Sequence, residues 1–255
     1  MTTEVKEEIK TNIRPDSKAC ARCGEEFQFT PVILFGKKPR WAQPRFCGKC
    51  NEKEEEKLQQ EKEREKREEQ RHREWRHERI WQDLCPKLYR TTDPARLPTE
   101  QLRKVMGWKY GPKGLILHGP TGTGKTRCAY LLLRRLFDEG HKIIASDSTD
   151  FVNYCADAFA KGEGMSWVKK MVNIPILFID DIGNEPSGER GAGELFHVIK
   201  RRGEELLPVI VTTNLGGGEL GKNLRGGTED RGGSMVRRLR EFCEPINFAG
   251  IKISR

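Results

Sequence analysis

From residue 114 onward the chain alternates short apolar runs with stretches whose apolar residues recur at helical spacing. Gly114-Leu115-Ile116-Leu117-His118 reads as a buried parallel strand. After a glycine-rich turn, residues 127–137 form an amphipathic helix closed by Gly140 as a C-cap. Lys142–Ser146 predicts a second strand. Residues 148–159 predict a capped helix with Phe151, Val152, Cys155 and Phe159 on its core face. Residues 174–181 are a third strand, ending in paired acids. The next helix, 189–206, should turn Leu195, Phe196, Val198, Ile199 and Leu206 inward and Lys200, Arg201 and Arg202 outward. Val209–Asn214 is a fourth strand. Glycine-rich residues 216–233 predict a mobile loop, followed by a helix over 234–243 and a last strand over 244–248. The alternation predicts an α/β fold with a five-stranded parallel sheet flanked by helices.

The first 113 residues follow other patterns. Residues 1–17 are polar and read as a flexible tail. Residues 51–79 are almost wholly Glu, Lys, Arg and Gln. Pairs such as Glu63–Arg67 and Glu69–Arg73 at i,i+4, and Glu61–Arg64 at i,i+3, support a solvated helix. Leu58 stands alone there, so no heptad seam exists. Such a helix spans roughly 45 Å at 1.5 Å per residue and acts as a semi-rigid spacer over 51–84. Near its end Trp75, Ile80, Trp81 and Leu84 begin an apolar face expected to dock on the following domain, which runs over 85–255. Residues 85–112, with four prolines, read as an ordered approach segment.

Composition sharpens this picture. At 255 residues there is room for one ordinary domain plus something small. A net charge of +9 favours a polyanionic partner. No secretory signal or membrane-length apolar run is visible, so a soluble, cytoplasmic protein is expected, with no membrane partner. Eight cysteines then suggest metal or free thiols before disulfides. Cys20, Cys23, Cys47 and Cys50 form two C-x2-C pairs with 23 residues between them. Each pair can turn two thiolates toward one tetrahedral zinc, with Gly24 and Gly48 easing the turns. About thirty residues cannot hold a core alone, so metal would supply the folding energy of a small zinc ribbon over 18–50. Disulfides or unrelated thiols are the alternatives. Basic residues interleaved with aromatics suit nucleic-acid contact, and protein docking is an equal alternative.

The chemistry concentrates on Gly119-Pro120-Thr121-Gly122-Thr123-Gly124-Lys125-Thr126, a phosphate-binding loop between a strand and a helix. Its glycines let backbone N–H groups surround a β-phosphate, and the helix N-terminus adds positive potential. Lys125 can reach the β- and γ-phosphates of ATP, and the Thr126 hydroxyl can ligate magnesium. Asp180 and Asp181 stand at the C-terminal edge of a buried sheet, where ligands bind in open α/β folds. Asp180 would hold magnesium, and Asp181 would activate the attacking water. Asn214 can hydrogen-bond that water or the γ-phosphate, or be a strand-end turn residue. Arginines on the 234–243 helix can reach a neighbouring subunit's nucleotide, or form a solvated basic face.

Residues 85–255 resemble the AAA+ ATPases of the DnaC/DnaI helicase-loader and IstB transposition-helper group. The resemblance rests on the loop at 119–126, on Leu177-Phe178-Ile179-Asp180-Asp181-Ile182-Gly183, on Val211-Thr212-Thr213-Asn214-Leu215 and on Met235–Arg240. It implies nucleotide and magnesium contacts at Lys125, Thr126 and Asp180, a water activator at Asp181, a sensor at Asn214 and an arginine finger at Arg238. Many members carry Glu where Asp181 stands, and the shorter side chain implies slow hydrolysis suited to a timer. A second sensor arginine is expected after the final strand, where Arg255 is the candidate. The implied partners are a replicative helicase and single-stranded DNA, with ATP-dependent self-assembly; alternatives are a transposition helper on duplex DNA or a non-hydrolysing ATP-gated adaptor.

Overall fold

The computed structural model describes residues 16–30, 32–34, 40–183, 189–216, 218–220 and 229–250. Two compact units divide the chain, Met1–Arg76 and His77–Arg255.

In the first unit, β1 (Asp16–Ala19) and β2 (Glu26–Phe29) pair antiparallel, as do β3 (Val32–Leu34) and β4 (Arg40–Ala42). The long helix α1 (Gly48–Leu84) begins immediately afterwards and runs across the boundary between the units. Of the three expected pairs only Glu63–Arg67 forms, at 3.9 Å, while Arg64 turns to Glu68 at 3.7 Å instead of Glu61. Leu58 is exposed. Of the four apolar residues at its end, only Trp81 is buried and Leu84 partly so; Trp75 and Ile80 are 63% and 58% exposed. The expected docking face is therefore narrower than its apolar run.

In the second unit α2 (Lys87–Arg90) and α3 (Thr99–Gly107) precede a five-stranded sheet. Its strands are β5 (Gly114–His118), β6 (Ile143–Asp147), β7 (Ile176–Asp180), β8 (Val209–Thr213) and β9 (Cys243–Asn247). They lie in the order β6-β7-β8-β5-β9, all parallel, as the alternation of strand and helix predicts. The period-two alternation of strands sends Ile176, Phe178, Ile210, Leu115 and Leu117 into one core, with α4 (Lys125–Asp138) and Trp81. Leu177, Ile179, Val209 and Val211 enter the other, with α5 (Ser148–Ala160), α6 (Gly164–Asn173), α7 (Glu189–Glu204) and α8 (Glu229–Phe242). The result is a three-layer sandwich with a sheet buried on both faces.

Several details depart from the sequence reading. Helix α6 was not expected, although Val168, Met171 and Val172 recur at helical spacing and are buried. Helix α8 starts at Glu229, so Gly232 and Gly233 lie inside a helix rather than in the expected mobile loop. On α5, Asp147 caps the helix by accepting the Asp150 N–H, while Val152 and Phe159 are only half-buried.

Helix α7 inverts two expectations. Leu206 is 65% exposed because it sits just past the helix end at φ 55, with Leu207 N–H bonded to Arg202 C=O. That position closes a helix and favours glycine. Arg202, expected outside, is fully buried. Its guanidinium donates to the carbonyls of Met171, Val172 and Ile174 at 2.9, 3.0 and 2.7 Å, and to those of Pro175 and Pro208. It thus caps the C-terminus of α6, where carbonyls lack helical partners and positive charge is favoured. Burial pulls its guanidinium down to about 10.

Arg202→Met should lower unfolding stability by about 3 kcal/mol, because several buried carbonyls lose a charged donor. Leu206→Gly should raise it by about 0.5–1 kcal/mol by relieving a left-handed residue. Urea unfolding of both chains checks the opposite signs.

Candidate functional site

Helix α4 begins where the glycine-rich loop ends, and the loop's geometry comes from its glycines. Gly122 and Gly124 lie at φ 79 and 88, and Gly119 at φ 139. A Cβ on Gly119 would stand 2.9 Å from the Phe248 carbonyl carbon, so the backbone fits there only without a side chain. Gly119 N–H bonds to Thr213 C=O at 3.2 Å, tying the loop to β8.

Lys125 is buried at the first turn of α4. Its ammonium donates to Gly119 C=O at 2.7 Å, Pro120 C=O at 2.8 Å and Asn214 Oδ1 at 2.8 Å. An ammonium has three donors, so reaching a phosphate requires exchanging at least one of these bonds. Burial lowers its pKa, and the charges of Asp181 and Asp180 oppose that shift. Thr123 turns inward instead, donating to Pro120 C=O at 2.9 Å.

Asp180 ends β7 beside it. One carboxylate oxygen, Oδ1, accepts from the Thr126 hydroxyl at 2.9 Å and from the Thr212 hydroxyl at 2.5 Å. Burial pushes its carboxyl above the usual range, the two hydroxyls oppose this, and the charges of Asp181 and Asp147 reinforce it. Asp181 follows at φ 57, a left-handed conformation rare for a residue with a Cβ. Its N–H bonds to Thr212 Oγ1 at 2.8 Å, its C=O accepts from Ser148 Oγ at 3.0 Å, and its Oδ1 accepts from Asn214 Nδ2.

These groups line one cleft of about 360 Å³, within the range of small-molecule sites. Thr121, Gly122, Gly124, Lys125, Thr126, Asp180, Asp181 and Asn214 all meet there. Sequence reasoning missed four further lining residues. Leu88 and Tyr89 come from α2, Arg127 from α4 and Thr212 from β8. Tyr89 stacks on Tyr130 at 4.8 Å, and Arg127 lies 5.8 Å from the Tyr89 ring while donating to Leu88 C=O and Thr92 Oγ1. The one available signal was the proline-rich approach segment itself. A hydroxyl and a carboxylate oxygen in hydrogen-bond contact, among crowded acids, are a donor set that suits magnesium.

Arg238 stands apart from this cleft. Its guanidinium lies 6.0 Å from the Phe196 ring on α7, and its Nε is buried without a hydrogen-bond partner. Arg255 falls outside the described residues.

The chain's second grouping is in the first unit. Cys20 and Cys23 occupy the tip of the β1–β2 hairpin, where Cys20 N–H bonds to Glu25 C=O and Gly24 turns at φ 75. Cys47 and Cys50 flank the start of α1, so Gly48 is helical rather than the expected special turn. The four Sγ atoms lie within 4.8 Å of one another, and Cys23 and Cys47 are 3.7 Å apart. Tetrahedral zinc with bonds of 2.3 Å separates its sulfurs by about 3.8 Å, so the cluster fits the ion. The backbone amides of Cys23 and Cys47 draw the Cys20 thiol down to about 6, against burial, whereas burial pushes Cys50 up to about 12.

The family model of IstB-like ATP-binding proteins matches residues 52–251, well over half of the chain. The chain belongs to that family. Among its relatives, an ATP-binding protein of insertion sequence IS5376 from Geobacillus stearothermophilus is 31% identical over 110 residues, 43% of each chain. An IS21 ATP-binding protein from Pseudomonas aeruginosa is 26% identical over 138 residues, 54% of this chain and 51% of that one. The chain thus spans about half the length of the curated relatives it matches. The DnaC helicase loader structure superposes with a TM-score of 0.51 at 22% identity, covering 68% of this chain and 99% of that one. That likeness is one of fold. This IstB-like ATP-binding chain therefore has the AAA+ fold that the DnaC loader structure also shows, with a four-cysteine cluster near its N-terminus.

The sulfur geometry predicts one zinc per chain by elemental analysis of the purified protein, and its loss in Cys47→Ala. Purified wild type holding no metal, with paired disulfides, would contradict this.

Proposed function

We propose that this IstB-like protein is an ATP-hydrolysing helicase loader that assembles with further copies of itself when ATP is bound and engages a replicative helicase and single-stranded DNA. The observation that carries this reading is the meeting of Lys125, Thr126, Asp180, Asp181 and Asn214 in one cleft at the sheet's C-terminal edge. Lys125 would bind the β- and γ-phosphates, and Thr126 and Asp180 would hold magnesium, which supplies charge neutralisation of the phosphates. Asp181 would orient the attacking water and take its proton as the water oxygen bonds to the γ-phosphorus and the bond to ADP breaks. Asn214, already bonded to both Lys125 and Asp181, would sense whether a γ-phosphate lies between them. Leu88 and Tyr89 form the wall on which the base would rest.

The shared use of the site between protomers would fall to Arg238. As a finger it would have to leave Phe196, and its unpartnered Nε gives it a donor to offer. The cysteine module would hold zinc and serve as the partner-specific adaptor, joined by the charged helix. The loader reading is compatible with the fold shared with the DnaC loader structure, which covers 99% of that chain. A transposition helper acting on duplex DNA is the second reading, favoured by the insertion-sequence relatives at 31% and 26% identity.

Steady-state ATP hydrolysis separates these readings. We expect slow turnover, stimulated by single-stranded DNA and lowered about 100-fold by Asp181→Asn. Stimulation by duplex DNA alone would favour the transposition reading. Absent turnover would sink both in favour of a non-hydrolysing adaptor, and turnover indifferent to Asp181→Asn would sink the catalytic reading of this site. DNA affinity should fall steeply with salt.

A further inference from the structure

We propose that Thr212 is a positioning residue whose single hydroxyl ties the two acids, Asp180 and Asp181, into one unit. The inference rests on the ATP-hydrolysis reading of the cleft and deepens it.

Thr212 sits in the middle of the sheet, on β8, with 1% of its surface exposed. The register that pairs Ile179 with Val211 brings Thr212 beside Asp180. The three preceding residues of β8, Val209, Ile210 and Val211, are apolar and buried, so a hydroxyl here must find partners within the protein. It finds two, using both of its capabilities. Its proton goes to Asp180 Oδ1 at 2.5 Å, and its oxygen accepts the Asp181 N–H at 2.8 Å. A hydroxyl carries one proton and two lone pairs, so both bonds form at once.

The second bond bears on the backbone. Asp181 lies at φ 57, a conformation that persists only where its surroundings hold it. Thr212 holds its N–H, Ser148 its C=O and Asn214 its carboxylate. Of these three, Thr212 is the one bonded to both acids. Through the Asp180 oxygen it shares with Thr126, it also connects the phosphate-binding helix to the water-activating residue. A threonine that merely fills the core would lose little on replacement by valine, which has nearly the same shape. A tether would lose its function, and serine would restore it.

The test compares wild type, Thr212→Val and Thr212→Ser as full-length chains. Without nucleotide, hydrogen exchange at the Asp181 amide should quicken at least about 10-fold in the valine chain and return toward wild type in the serine chain. In ATP hydrolysis, Thr212→Val should lower kcat by about 30-fold with KM for ATP changed less than about threefold, and serine should recover most of the loss. The magnesium concentration giving half-maximal rate should rise about fivefold in Thr212→Val. Wild-type exchange and kcat in the valine chain would overturn the proposal. If wild type does not hydrolyse ATP, the functional reading fails by itself, and amide exchange alone decides the tether. If the valine chain does not fold, Thr212→Ala against Thr212→Ser decides it by the same measurements.

Discussion

The candidate site is knit together at one oxygen atom. Asp180 Oδ1 accepts from Thr126 on the phosphate-binding helix and from Thr212 on the neighbouring strand. Helix α4, β7 and β8 therefore meet at a single half-buried carboxylate. Burial disfavours its charge, and the two hydroxyls oppose that penalty with hydrogen bonds. The parallel sheet is what makes the meeting possible. All five strands point their C-terminal ends the same way, so the loop after β5, the acids after β7 and the amide after β8 converge without any long excursion of the chain.

The same logic explains why so much of this site was legible in the sequence. Gly119 to Thr126, Asp180, Asp181 and Asn214 lie at strand ends, and strand ends are marked by where apolar runs stop. The sheet followed from those runs as well, because strands buried on both faces read as unbroken apolar stretches. What escaped lies inside elements or far along the chain. Thr212 looks like an ordinary strand residue until its neighbour β7 is in place. Leu88 and Tyr89 belong to a four-residue helix with no periodic signature. Arg202 looked like one of three basic residues on a solvated face. Its burial depends on a helix, α6, that must first be placed beside it.

The cysteine cluster is the opposite case. Its residue types and spacing announced a metal site, and a hairpin tip and a helix start bring the sulfurs within 4.8 Å. The long helix that follows it carries exposed charge pairs over most of its length and is anchored at its end by Trp81, which is buried in a core. The boundary between the two compact units, Arg76 to His77, falls inside that helix, so the cysteine cluster and the five-stranded sheet lie in different units.

The central claim is that the cleft around Asp180 receives a nucleotide with its magnesium. Equilibrium binding of a fluorescent ATP analogue to the full chain, with and without magnesium, tests it most directly when repeated on Lys125→Ala. The account predicts binding that strengthens with magnesium and weakens at least about tenfold in Lys125→Ala. Binding of equal strength in both chains, indifferent to magnesium, would contradict it.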